Sequence, residues 1–170
     1  MPFSPFEASA PIFINSLSDM RAWLGREDVK AREAELLAAK LADDMHPLPR
    51  QFQMASDSAK GGVARLAGIE PPSMADTEAS FAELQDRCDR TIAFIRSVDP
   101  AAIAAGADRD VTLPLPNNMG FRFKGADFLT RFALPNFLFH VSMGYAILRN
   151  HGIPLGKGDF LQHLGMPEQL

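Results

Sequence analysis

Four histidines, one cysteine and a few spaced polar sets are the chemistry available in this 170-residue chain. His163 lies in the C-terminal tail. His151 closes an apolar segment beside Asn150 and Gly152, where a protonated ring would complement the negative end of a helix. Both read as structural or solvated. His140 sits in the middle of the most apolar stretch, four residues after Asn136, so the two share one helical face. A polar pair in such surroundings must find partners or lose about 1–3 kcal/mol per group to desolvation. Two readings stay open. The pair is either hydrogen-bonded within the core, reaching Asp57 or Arg50, or it forms the polar floor of a pocket, with His140 as acid/base or metal ligand.

A second polar set, Arg50, Gln53, Asp57 and Lys60, is spaced at three and four residues. Such spacing reads as a solvated helix face with Gln53 pairing Asp57. Turned toward His140, the same set would supply a carboxylate and a guanidinium. His46 stands at the start of this segment. The candidate catalytic residues are therefore His140, Asn136, His46, Asp57 and Arg50. Cys88 falls within an apolar stripe and reads as a buried structural thiol. The glycines at 154–159 lack both Walker spacing and a preceding strand, so they read as a tail turn. The sequence holds no nucleophile elbow, dinucleotide fingerprint or HExxH motif.

Helices must position these residues. Phe6, Phe13, Leu17, Met20 and Leu24 recur at helical spacing and predict a helix over about 5–24, capped by Ser4 and disturbed at Pro11. A short charged helix is expected over 31–41. Leu48, Phe52, Ala55, Ala59, Val63 and Leu66 predict a helix over 47–66, ended by Gly68, and Gly61–Gly62 within it suggests close approach of another backbone. Phe81, Leu84, Cys88, Ile92 and Ile95 form a bundle seam over 77–98, with Ser73 or Thr77 as cap and Asp99–Pro100 as stop. Short β-like runs at 111–113 and 121–123 flank Asn117–Asn118 and predict a small hairpin. The last long helix spans 126–150, with a kink near 131–134 ahead of Pro135. One domain over residues 1–170 accommodates all of this.

Composition sets limits. The formal charge is 17 − 21 = −4 without a basic block, which argues against a nucleic-acid partner. A lone cysteine excludes an internal disulfide and a multi-cysteine metal site. No run reaches the roughly 20 apolar residues of a membrane span, and the start lacks a charged leader, so a cytoplasmic protein is expected. Phenylalanine is in excess, 13 against one Trp and one Tyr. Phe121, Phe123, Phe128, Phe132, Phe137 and Phe139 fall in one stretch, faced by Phe6, Phe13, Phe52 and Phe81. They predict an aromatic wall beside Asn136 and His140, serving either as a pocket for an apolar small molecule or as an interface. The last helix is apolar almost all round, which implies cover by a second subunit in a homodimer.

The segments LADDMHPLPRQFQMASDSAKGGVARLAGIEPP, DTEASFAELQDRCDRTIAFIRSVDP, VTLPLP and FALPNFLFHVSMGYAILRNHGIPLGKGDFL carry a resemblance. Over nearly its whole length the chain resembles the domain-of-unknown-function family DUF1993, which is similar in fold to the DinB/YfiT-like helical superfamily. The resemblance implies an all-α, DinB-like four-helix bundle with a small β-hairpin before the last long helix. It implies frequent dimers, divalent metal held by three histidines in many members, and thiol-dependent transferase or hydrolase activity in some. In that pattern one histidine stands near the start of the second helix and an HxxxH pair on a later one. His46 matches the first and His140 one of the pair, but the third position falls on Asn136 or Gly144. Asp44 or Asp57 would have to complete a zinc or nickel set. The expected function is thus a small-molecule enzyme or binding protein with a Phe-lined pocket and metal-free histidine acid/base chemistry. The alternatives are a degenerate divalent-metal protein using His46 and His140, and a non-enzymatic homodimeric module.

Overall fold

The computed structural model describes residues 4–166, 168 and 169. Phe13, Leu17, Met20 and Leu24 are fully buried at three- and four-residue spacing and define the inner face of helix α1 (Ala10–Gly25). This helix starts later than residue 5. Pro11 takes an early helical position, where its missing N–H costs nothing, and residues 5–9 form turns instead. In those turns Ala8 N donates to Ser4 O at 3.0 Å and Ala10 N to Phe6 O at 3.1 Å. The expected helix over 31–41 is replaced by two short ones, Glu27–Lys30 and Glu33–Leu37.

Helix α2 (Leu48–Ala67) follows the expected apolar face and ends on Gly68, whose φ of 73° satisfies a left-handed cap. Helix α3 (Phe81–Ser97) begins at neither Ser73 nor Thr77. Ser80 is its cap: the Ser80 hydroxyl accepts from Glu83 N at 3.2 Å, and the Glu83 carboxylate returns to Ala79 N at 2.6 Å. Asp99, expected only to stop this helix, caps the next short one, Pro100–Ala104.

Strands β1 (Asp110–Pro114) and β2 (Gly120–Lys124) pair antiparallel, Val111 opposite Phe123 and Leu113 opposite Phe121. Asn117 and Asn118, at φ 61° and 58°, supply the two left-handed residues of the turn. The chain then runs through Gly125–Phe128 and a wide π turn, Leu129–Ala133, into helix α4 (Leu134–Asn150). The expected kink is this π turn. Pro135 would clash with the carbonyl four residues back, and the wider turn, in which Leu134 N reaches Leu129 O, makes room for its ring.

α2 packs between α4 and α3, and α1 closes the bundle against α3. The tail folds back as Lys157–Phe160 and Gln162–Leu164 over α1. Close backbone approach occurs away from Gly61–Gly62. A Cβ on Gly62 would meet a Phe13 ring carbon at 3.2 Å, a side-chain contact. The backbone crossing is at Gly106 and Gly125: a Cβ there would lie 2.3 Å from Leu66 O and 1.9 Å from Gly106 O respectively. Two glycines therefore let the connection after α3 and the lead into α4 stack on the end of α2. Among the described residues, no helix is long and apolar enough to cross a membrane.

Candidate functional site

His140 projects from α4 onto the first turns of α2 and is 5% exposed. Its Nδ1 lies 2.9 Å from Gln51 Oε1, and Gln51 Nε2 donates to the His46 carbonyl at 3.1 Å. A backbone carbonyl only accepts, so the amide nitrogen of Gln51 must face it and the amide oxygen must face His140. Nδ1 therefore carries the proton, and Nε2 is left as a lone pair without a hydrogen-bond partner among the described residues. Burial, followed by the nearby charges of His46 and Arg50, holds the ring below its ordinary pKa of 6.5. The imidazole is neutral at pH 7 in one defined tautomer.

The other expected residues divide. His46 is exposed and joins the site through its backbone. Arg50 is close enough to act on His140 electrostatically, while its guanidinium donates to Gln53 Oε1 at 3.2 Å and pairs with Asp76. Asn136 lies one turn along the same α2–α4 contact, its Nδ2 donating to Ser58 Oγ at 2.6 Å, and Ser58 passing on to Met54 O at 2.7 Å. Its partner is thus neither Asp57 nor Arg50. Asp57 faces the opposite side of α2, bonded to Lys60 Nζ at 2.7 Å and Arg87 at 2.8 Å. His151 Nδ1 donates to Ile147 O at 2.9 Å and finishes α4.

The set Arg50, Gln53, Asp57 and Lys60 is not a solvated face. Gln53 and Lys60 are buried, and Gln53 bonds Glu78, not Asp57. At its centre is Arg87 of α3, 0% exposed. One guanidinium nitrogen donates to Glu78 Oε1 at 2.8 Å and Ala75 O at 3.1 Å; the other meets Asp57 at 2.8 Å and Asp76 at 3.0 Å. Burial works against ionisation of Asp76 and Glu78, but the hydrogen bonds from Arg50, Arg87 and Gln53 prevail and hold both carboxyls below their ordinary range. Three cations (Arg50, Lys60, Arg87) face three anions (Asp57, Asp76, Glu78). The balanced cluster clamps the α2–α3 crossover and leaves no net charge for a ligand. Among the described residues, Arg87 Nε is the one side-chain nitrogen or oxygen buried without a partner.

Gln51 and Arg87 were not visible as site residues. Gln51 falls seven residues before Ser58, two turns along the face that meets α4, and that phase was its only signal. Arg87 adjoins Cys88 in the bundle seam, where a charge needs a buried partner.

The aromatic stretch splits three ways. Phe121, Phe123, Phe128 and Phe132 form a ladder with successive centroids 6.0, 6.2 and 6.0 Å apart. Phe137 turns inward onto Phe13, 4.8 Å away. Phe139, half exposed, alone meets His140, edge-on at 5.2 Å. Recesses of about 210–460 Å³ lie along the hairpin and the tail, and none of these is lined by His140 or Asn136.

The residues present do not fit a three-histidine metal set. His140 keeps a free Nε2, but Asn136 is committed to Ser58 and Asp57 to Arg87. Among the described residues, no group of three or more His, Cys, Asp or Glu side chains is placed to hold an ion. Cys88 is 1% exposed, and burial pushes its thiol up to about 12, which removes it as a nucleophile.

Four helices with this inserted hairpin define a DinB-like helical bundle. The crystal structure of a DinB family member protein from Shewanella denitrificans, at 1.83 Å resolution, is 30% identical and superposes with a TM-score of 0.80 over 97% of this chain and 94% of that one. A family model described as a domain of unknown function (DUF1993) matches residues 6–161, and the chain belongs to that family. Among curated proteins none matches the chain.

Proposed function

We propose that this DinB-like chain is a small-molecule enzyme or binding protein working by metal-free acid–base chemistry at His140. The observation that carries the reading is the Gln51 bridge, which fixes Nδ1 as the protonated nitrogen and leaves Nε2 free to accept. A neutral, desolvated imidazole held in one tautomer is the form a general base requires, and such a base contributes about 10²–10⁴-fold to a rate. In this reading Nε2 takes a proton, or a hydrogen bond, from a small and largely apolar molecule lying against the α2–α4 contact. Gln51 is a positioning residue: its neutral amide steadies the ring without raising its basicity as a carboxylate would. Arg50 lies near enough to favour negative charge developing on the substrate, and the half-exposed Phe139 ring offers apolar contact.

A panel of small aryl ketones and esters titrated into isotopically labelled protein tests this reading. Saturable shifts at the His140, Phe139 and Asn136 signals, lost in His140→Gln, are expected. No member of the panel shifting these signals, or shifts retained in the variant, would overturn it.

A further inference from the structure

Asp19 is a buried carboxylate of α1, 3% exposed. Both of its oxygens are taken by one residue of the tail. Oδ1 accepts from the backbone N–H of His163 at 3.0 Å, and Oδ2 accepts from His163 Nδ1 at 2.6 Å. Two bonds from one carboxylate fix both the position and the rotation of the ring. The tail is held beside it by a second set of contacts. Trp23 Nε1 donates to Asp159 O at 2.9 Å, Arg26 reaches Asp159 at 3.4 Å, and Phe160 packs against Trp23 and Tyr145 with centroids 5.9 and 5.6 Å away. His163 is exposed and lines a recess of about 210 Å³ between α1, α4 and the tail, and its Nε2 has no hydrogen-bond partner among the described residues.

The lining states the ligand chemistry. Ile12, Leu138, Phe160 and Leu161 supply apolar walls, Asn15 and Ser16 supply polar edges, and apart from His163 no charged or titratable side chain takes part. A neutral His163 ring that gives its Nδ1–H to the Asp19 carboxylate leaves the pair with one negative charge, which disfavours an anion, and leaves Nε2 as an acceptor that takes a donor. The volume lies below the roughly 300 Å³ at which pockets begin to take drug-sized molecules. We infer that the Asp19–His163 dyad forms a second, separate site that binds a small neutral aryl alcohol, its hydroxyl donating to His163 Nε2 and its ring packed against Phe160 and Leu138. Burial raises the Asp19 pKa, in keeping with a carboxylate that depends on His163 for its compensation.

The probe is p-cresol, with anisole as its counterpart lacking the donor. Binding is read from methyl NMR signals of Ile12, Leu138 and Leu161. Fluorescence of Trp23, the single tryptophan, reports whether the tail is still docked. Saturable millimolar binding of p-cresol is expected, about 3- to 10-fold tighter than anisole, which is one net hydrogen bond. His163→Leu should abolish that preference. Ile12→Phe, which fills the recess without touching the dyad, should abolish binding while Trp23 and Asp159 stay bonded. No saturable shift with p-cresol, equal affinity for anisole, or unaltered binding in Ile12→Phe would each overturn the assignment. The last variant decides the matter should His163→Leu release the tail.

Discussion

Replacing Arg87 with methionine isolates the cluster that clamps the α2–α3 crossover. Methionine keeps the apolar stem of arginine and lacks its guanidinium, so the change removes the charge and the hydrogen bonds. Its effect is worked out from the partners left behind. Asp57 and Asp76 keep 41% and 36% of their side chains exposed and can turn to water. Glu78, 4% exposed, cannot, and retains no cation, only neutral donors such as the Gln53 amide at 2.9 Å. One stranded buried carboxylate costs about 3–5 kcal/mol. For a chain of this size that is a fall in Tm of about 6–20 °C, at about 2–4 °C per kcal/mol. Urea unfolding followed by Trp23 fluorescence and far-ultraviolet circular dichroism measures it. Arg87→Met combined with Glu78→Leu should recover most of the loss, because neither member is then left unpaired. The acid limb offers a second check. Asp76 and Glu78 have folded pKa values below their ordinary 3.8 and 4.5, so their stabilisation is full above those values and is lost as pH falls through the folded ones. Arg87→Met should therefore flatten the pH dependence of stability below pH 4.5. A loss under about 1 kcal/mol, the range of exposed ion pairs, would refute the reasoning.

Three further outcomes follow from other parts of the fold. Cys88, with its thiol pushed up to about 12 by burial, should resist Ellman's reagent at pH 8 in the folded state and react fully in denaturant; rapid native labelling would contradict its placement. Gly125→Ala drives a methyl to 1.9 Å from the Gly106 carbonyl and should cost about 1–3 kcal/mol or more, whereas Gly158→Ala, with nothing within 4 Å, should be nearly neutral by the same unfolding assay. Ser80→Ala should cost about 0.5–2 kcal/mol through loss of the α3 cap, while Ser73→Ala and Thr77→Ala should not.

Wherever one helix face decides the outcome, the sequence was legible. The three-and-four spacing of Phe13, Leu17 and Met20, and of Phe81, Leu84 and Cys88, specified which residues are buried, because a helix repeats its own geometry without reference to the rest of the chain. The Asn117–Asn118 turn was legible for the same local reason. The burial of His140 followed from its phase in an apolar helix. Its partner did not: a glutamine on α2 looks like any surface amide until α4 is laid against it. Asn136 shows the same limit, since Ser58 is 78 residues away. Arg87 hides its role because three of its partners, Ala75, Asp76 and Glu78, come from a crossover without periodicity. Gly106 and Gly125 are needed only because Leu66 crosses there, a fact of topology. The aromatic excess was real, but composition carries no direction. Phe137 turned into the core while the hairpin rings paired among themselves.

The account rests most directly on the state of the His140 ring. Long-range ¹H–¹⁵N NMR of the imidazole nitrogens across a pH titration measures it. At neutral pH Nδ1 should be protonated and Nε2 bare, and the ring should titrate below 6.5. A folded pKa below the unfolded one means that the stabilisation from the neutral ring is full above about pH 6.5 and fades as pH falls through the folded value. Gln51→Leu should release the tautomer, mixing the two forms, while the fold persists. An Nε2-protonated ring at neutral pH, or a titration at or above 6.5, would contradict the claim that Gln51 presents His140 as a base.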